Sequence, residues 1–494
     1  MKNILKTTFI ALLLLGTGSC SDDYFDVNTP SGAAQEEQLR MKDLMAPVIY
    51  RTIQGQYSAE TSFGNYTQYF VFQAGNATGE TSVNGLWTNF YLYALPNIRT
   101  IKEKAAALGA NRYTAVADIL TAINLGIATD TWDNIPYSEA ATGVNNTTPS
   151  FDDQQAIYAS IFELLDNAIT LLEAPDNSIY TLSNDDLIYQ GDMDKWLRAA
   201  YTIKARYQLH LVSAGTVSAN DVLATISKGF TSNADDFQMN YTDRDINPVY
   251  AQEVIARGQG NPHNNLASQL ISSMNGDYYP FQSSALDIDP RLMVYGELDQ
   301  NSTEWKGFVS GGGGKSPDGT PANARFRTDG YYTSIDSPIA VITYGEALFI
   351  KAEAAFLANG GTTTSTGSDA LAYNAYLEGI AASMEKYDVD GSDYLADPAI
   401  AVGEAGLQLN HIMKEKYIHN FLNPETFVDF RRYDFSDDVF VGLTIREEID
   451  SSGDYPGEWF RRANYPSTEE TRNRAAVEAN KKTPVTPVWW DAQN

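Results

Sequence analysis

The sequence predicts an all-α dominated fold: four helix pairs forming a scaffold, with a loop-rich region between the second and third pairs. Three observations predict it. Apolar residues recur at helical spacing in eight segments of the chain. The segments come in pairs, and one short turn joins 89–109 to 112–133, which makes that pair an antiparallel hairpin. Between residues 230 and 338 the helical period gives way to Gly, Pro, Asn and Asp turn chemistry.

The N-terminus comes first. Lys2 and Lys6 precede an apolar core, Thr7 to Leu15, too short to span a hydrocarbon layer of roughly 30 Å. Small residues follow, Gly16-Thr17-Gly18-Ser19, and then Cys20, the single cysteine of the 494 residues. This is the layout of a signal peptide over residues 1–19. A cysteine directly after the small residues resembles a bacterial lipobox, which implies acylation of Cys20 and attachment to a membrane through lipid alone. Ser21-Asp22-Asp23 then resembles the acidic export tag of Bacteroidetes surface lipoproteins.

The mature chain, 20–494, reads as one large domain. Its first helix is predicted at "MKDLMAPVIYRTI" (41–53). The segments 89–109 and 112–133 follow; Gly109 stops the first, and one short turn leads into the second. The segments 151–173 and 193–211 come next, the latter with Trp196, Ala200, Ile203, Tyr207 and Leu211 along one stripe. After the loop-rich region, 338–360 is Ala-rich and stops at Gly360-Gly361, and 370–387 pairs with it. The last long segment is 406–422. Ala352-x-x-x-Phe356 matches a fragment of the tetratricopeptide pattern, where small residues let helices approach. The helix-pair units fall near 85–131, 151–213, 338–387 and 403–432.

Composition narrows the function. A net charge of −29 repels nucleic acid and anionic lipid headgroups, so neither is an expected partner. The chain is rich in aromatics, with 30 Tyr, 21 Phe and 7 Trp, whose faces stack on flat apolar partners such as sugar rings. "VSGGGGKS" (309–316) lacks the first glycine of a P-loop and runs into the turn Pro317-Asp318-Gly319 instead of a helix; a flexible loop is expected there. His411 and His419 lie about 12 Å apart along one helix and cannot share a metal. "DVDGSD" (388–393) lacks the order of an EF-hand loop. No cofactor is expected. The acids leave room for a structural Ca²⁺, but no spacing selects its ligands.

Six further pieces, in order, resemble the SusD/RagB family of Bacteroidetes outer-membrane lipoproteins: "ATDTWDNIPYSEA" (128–140), "KWLRAAYTIKARYQLHL" (195–211), "TYGEALFIKAEAAF" (343–356), "YLEGIAASMEKYDV" (376–389), "IMKEKYIHNFLNPETFVDFRRYDF" (412–435) and "RRANYPSTEETRNR" (461–474). The resemblance implies four tetratricopeptide-like helix pairs and a loop-rich ligand face. It implies a cell-surface protein that binds a glycan or other nutrient, caps a SusC-like TonB-dependent transporter and does no catalysis. A surface glycoside hydrolase on the same scaffold, and a peptide-binding member of the family, are the alternatives.

The matching pieces lie on the predicted scaffold, so Trp132, Trp196, Arg431 and Arg432 read as packing and ion-pair residues. Ligand contacts vary among family members and do not carry over. Candidates are instead aromatics beside turn chemistry with polar neighbours. One cluster is Asn65, Tyr66, Gln68, Tyr69, Phe72 and Gln73, with Trp87 and Asn89 just beyond. The other is Trp305 with Tyr331 and Tyr332. For each aromatic taken singly, core packing is the competing reading.

Overall fold

A computed structural model describes residues 39–72, 79–299, 302–445 and 455–493. Cys20, the acids after it and Gln73 lie outside these residues.

The helices form where the apolar period demands. They are α1 (Met41–Phe63), α2 (Asn84–Trp87), α3 (Leu95–Leu108), α4 (Asn111–Trp132), α5 (Gln154–Glu173), α6 (Met193–His210), α7 (Ala219–Ile226), α8 (Ser268–Met274), α9 (Tyr344–Ala358), α10 (Ala370–Lys386), α11 (Leu409–His419) and α12 (Glu425–Arg432). Shorter turns of helix lie between them. Side chains cap several N-termini: Asp153 accepts from the Ala156 amide at 2.8 Å and Asp369 from the Ala372 amide at 2.9 Å, each filling a donor the helix itself leaves open.

The expected pairs pack together: α3 with α4 across a short turn, and α5 with α6 and α9 with α10 across longer connections. Helix α4 is buried nearly all round, from Tyr113 to Trp132, as befits a helix at the centre of the core. Two glycines set helix spacing. A Cβ on Gly126 of α4 would fall 2.1 Å from the Tyr207 ring of α6, and one on Gly379 of α10 would fall 2.7 Å from Phe349 of α9. Only a bare backbone permits either approach.

Two expectations need correction. The segment 89–109 is not one regular helix: a π-helical stretch, Thr88–Ala94, joins α2 to α3. The segment 338–360 begins as a strand. Ile339–Ile342 (β6) pairs antiparallel with Phe237–Met239 (β2), and the helix starts only at Tyr344, where the Thr343 side chain accepts from Glu346. The β-branched pair of isoleucines and the valine suit a strand, and a partner is at hand.

The region 230–338 is also more ordered than turn chemistry alone suggests. It supplies β3 (Asn264–Leu266), β4 (Gly296–Leu298) and β5 (Ala324–Phe326), which join β1 (Phe70–Phe72) in a four-stranded antiparallel sheet of order β1-β3-β5-β4. This sheet holds the loops of one face against the scaffold.

Candidate functional site

The loop face carries a two-part cleft. One part, ≈ 700 Å³, is lined by residues that include Gln68, Gln269, Tyr278, Lys315 and Thr444. The other, ≈ 620 Å³, is lined by residues that include Asn275, Asp277, Tyr278, Asp287, Trp305 and Asp318. Tyr278, Ser316 and Pro317 belong to both walls, so the two parts adjoin.

The walls are built from short-range chemistry. Strand β3 runs directly into α8, and the 302–308 segment is stitched across that junction: the Ser268 amide donates to the Phe308 carbonyl and the Phe308 amide to the Leu266 carbonyl, both at 2.9 Å. Gly307 allows this, since a Cβ there would meet the Ser268 backbone at 2.5 Å. After α8 the chain turns sharply. The Asp277 carboxylate accepts from the Asn275 amide at 2.8 Å and the Tyr278 backbone amide donates to the Ser272 carbonyl at 3.0 Å. The Tyr278 ring then lies over Gly442, where a Cβ would be 2.3 Å from it.

The glycine run forms a hydrogen-bonded turn system. Lys315 bridges to Pro321, and the Val309 amide donates to the Lys315 carbonyl at 3.0 Å. At its tip Asp318 accepts from Ser316, from the Thr320 amide and hydroxyl, and from Lys306 at 2.9 Å. These donors, Ser316 foremost, hold Asp318 well below the usual carboxylate range. No helix follows, so the run has none of the phosphate-cradling geometry of a P-loop.

Trp305 is the sequence candidate that lies in this cleft, and Gln68 reaches it through an amide that donates to the Thr444 carbonyl at 3.2 Å. The other candidates lie elsewhere. Tyr69 is 1 % exposed, stacked on Tyr417, and hydrogen-bonded to Thr426. Tyr66 packs on Phe63, Phe427 and Phe460 and donates to the Gly79 carbonyl at 2.9 Å; Asn65 beside it is half-buried, and its side-chain oxygen has no partner among the described residues. Trp87 sits edge-on to Trp132 at 5.1 Å. Asn89 is half-buried and bonds to Gly85 and Arg51. Phe72 is exposed at the end of β1.

Tyr331 and Tyr332 are not joined to Trp305. They line a separate small cavity of ≈ 40 Å³ with Glu60, Lys386, Tyr387 and His419. Tyr332 and Tyr387 share a hydroxyl hydrogen bond of 2.6 Å, and Lys386 lies 5.5 Å from the Tyr331 ring. Burial pushes the Tyr332 hydroxyl up and the Glu60 carboxyl well above its usual range. Sequence reading named the aromatics of the loop-rich region but did not single out Tyr278, Asp277, Asp287 or Lys315. The signal was present: "NGDYYP" and "GGGGKSPDG" set an aromatic and charges within turn residues.

The scaffold carries its charges differently. Glu353 meets Arg432 at 2.7 Å and Lys416 at 3.5 Å, and Asp429 meets both cations. Where the loop-rich region meets the scaffold, Arg291 lies between Asp289 and the scaffold's Glu415 at 2.6 and 2.5 Å. His210 bonds Glu425 at 2.6 Å and lies 3.4 Å from Asp130, which also accepts from Tyr158 and Trp490. Burial alone would lower the His210 pKa, but Glu425 and Asp130 outweigh it and raise it to about 9. Trp132, Trp196, Arg431 and Arg432 are all buried, as packing and pairing residues would be. Among the described residues, no group of three or more His, Cys, Asp or Glu is placed to hold a metal ion, and no helix is long and apolar enough to cross a membrane.

Residues 33–466 match the SusD-like family described as starch-binding, associating with the outer membrane. No curated protein matches the chain. Among solved structures, a SusD homologue from Bacteroides uniformis superposes with a TM-score of 0.72 at 20 % identity, covering 91 % of this chain and 99 % of that one. A chitin-binding SusD homologue from Flavobacterium johnsoniae gives 0.69 at 20 % identity over 91 % and 98 %. A SusD/RagB family protein from Bacteroides thetaiotaomicron gives 0.68 at 22 % identity over 92 % and 99 %. At these identities the likeness shows the fold.

Proposed function

The chain belongs to the SusD-like family of outer-membrane-associated proteins, and from that premise we propose that it is a surface lipoprotein that captures an oligosaccharide in the cleft around Tyr278. It hands that ligand to a SusC-like TonB-dependent transporter, binds without catalysis, and is held at the outer membrane, facing outward, by lipid on Cys20. The observation that carries the binding reading is the cleft itself: two adjoining hollows on the loop face, with an aromatic in the dividing wall and a half-buried Trp305 among hydrogen-bonding groups. Concave sites that pair apolar faces with a few placed polar groups are the usual form of small-ligand sites.

Calorimetry on protein beginning after Cys20, with malto- and chito-oligosaccharides, tests it. Trp305→Ala and Tyr278→Ala should each weaken binding about fivefold, the size of one stacking contact, with the fold intact. Unchanged affinity in both variants would place the site elsewhere. Release of shorter sugars would overturn the non-catalytic reading in favour of a surface hydrolase. For the anchor, Cys20→Ala should lose lipid label and membrane partition together; a variant that stays lipid-labelled at the membrane removes Cys20 from the scheme.

A further inference from the structure

The two halves of the cleft differ in charge, and the difference names a ligand class. Four carboxylates line the Trp305 half: Asp277, Asp287, Glu304 and Asp318. Its one base among the described residues is Lys306, whose ammonium is already held by Asp318 at 2.9 Å and Thr320 at 2.8 Å. The Asp277 carboxylate has Asn275 and Ser272 as partners, neither of them a cation. The carboxylates of Asp287 and Glu304 make no hydrogen bond or ion pair with any described residue, and both residues are exposed. Across the Tyr278 wall, the described residues lining the other half include no acid and one base, Lys315.

A concave wall of one sign focuses its field on whatever enters and raises the local concentration of opposite charge. The half-buried indole of Trp305 adds a flat face for a sugar ring and, by its quadrupole, attracts a cation set over it. A neutral glycan uses only the flat face. A lysine-rich peptide uses the charge and can set an ammonium over the indole, but it offers no ring to lie flat on that face.

We propose that the Trp305 half of the cleft takes an oligosaccharide bearing free amino groups, with its ring on Trp305 and its ammonium groups toward Asp287 and Glu304. This rests on the reading of the cleft as the ligand site, and the experiment separates the two. Fully deacetylated glucosamine oligomers, N-acetylated oligomers of the same length and an oligolysine peptide are titrated into wild type, Asp287→Asn, Glu304→Gln and Trp305→Ala, all soluble protein beginning after Cys20. The deacetylated oligomer should bind more tightly than the acetylated one. Each carboxylate variant should cut that affinity roughly two- to fivefold, the range for an exposed ion pair, and leave the acetylated oligomer unaffected. Salt near 1 M, where the screening length is about 3 Å, should erase the preference. Equal or tighter binding of the acetylated oligomer overturns the charge assignment, while a loss of both sugars in Trp305→Ala keeps the cleft. Oligolysine binding more tightly than the aminosugar also overturns it and makes the cleft a peptide site. If neither sugar binds, the charge assignment falls and the malto-oligosaccharide titration decides the cleft; if Trp305→Ala binds both like wild type, Trp305 leaves the site and the charge assignment falls with it.

Discussion

The helical scaffold and the loop-face cleft treat charge in opposite ways. In the scaffold, Glu353, Asp429, Arg432 and Lys416 are buried and closed on one another. In the cleft, Asp287 and Glu304 are exposed and form no ion pair with any described residue. Burying a charge without a partner is costly, so the scaffold can hold its acids only as networks. At the cleft, water solvates the acids until a ligand arrives. The contrast teaches where to look for binding in a chain this acidic: at the carboxylates left over after pairing.

The comparison breaks most visibly at Glu353. Glu353→Ala leaves Arg432 and Lys416 to share Asp429 alone, a buried excess of positive charge, and should cost about 3–5 kcal/mol of stability, read from urea denaturation. Asp318→Asn in the cleft should leave the denaturation midpoint nearly where it was. A Glu353 loss no larger than that of Asp318 would mean the buried network does not hold α9 against α11.

Trp87 and Trp305 sharpen it next. Trp87 is 8 % exposed and packed among Tyr91, Trp132 and Tyr465. Trp87→Ala should cost about 3 kcal/mol and leave oligosaccharide affinity unchanged in the fraction that folds. An affinity loss without a stability loss would move Trp87 from the core to the site.

The scaffold should also be the pH-sensitive half. In the fold Glu425 and Asp130 raise the His210 pKa to about 9, from the ordinary imidazole value of 6.5, so its pairing with them contributes fully below pH 6.5. That contribution is lost as pH rises through about 9, since a proton is held in the fold that the unfolded chain has released. Stability should therefore fall across this window, with a slope of at most about 1.4 kcal/mol per pH unit. Denaturation midpoints from pH 6 to 10 check it, and a flat profile would mean that His210 is neutral in the fold.

The scaffold was the legible half of the sequence because burial imposes a period. Helix α4 was read at 112–133 and runs from Asn111 to Trp132; α10 was read at 370–387 and ends at Lys386. The misreadings fell where tertiary partners decide. Ile339–Ile342 is a strand because Phe237–Met239 lies beside it, and no local pattern carries that pairing. The site was less legible for the same reason. Trp305 was named, but it was grouped with Tyr331 and Tyr332, which line a different cavity. Tyr278 draws its role from Gly442, far along the chain, and Gln68 reaches the cleft through Thr444. Aromatics in turns mark a face, while their grouping depends on long-range contacts that spacing does not encode.

The smallest expected effect tests the contrast at its sharpest, with one kind of substitution in each region. Gly126 and Gly442 both lie under a tyrosine ring, Tyr207 and Tyr278 respectively. In the scaffold, Gly126→Ala forces a Cβ into a packed helix interface, and overpacking of this kind costs about 1–3 kcal/mol. In the cleft, Gly442 has φ +78°, so Gly442→Ala carries a left-handed backbone penalty of about 1–2 kcal/mol and must also push the Tyr278 ring aside. That ring lines both halves of the cleft, whereas Tyr207 is buried between packed helices. Gly442→Ala should therefore lose several-fold in oligosaccharide affinity for a modest shift in melting temperature, whereas Gly126→Ala should lower the melting temperature and bind normally once folded. Thermal melts paired with calorimetry on both variants decide it. Normal binding by Gly442→Ala would remove the Tyr278 ring from the ligand face and leave Trp305 to carry the cleft alone.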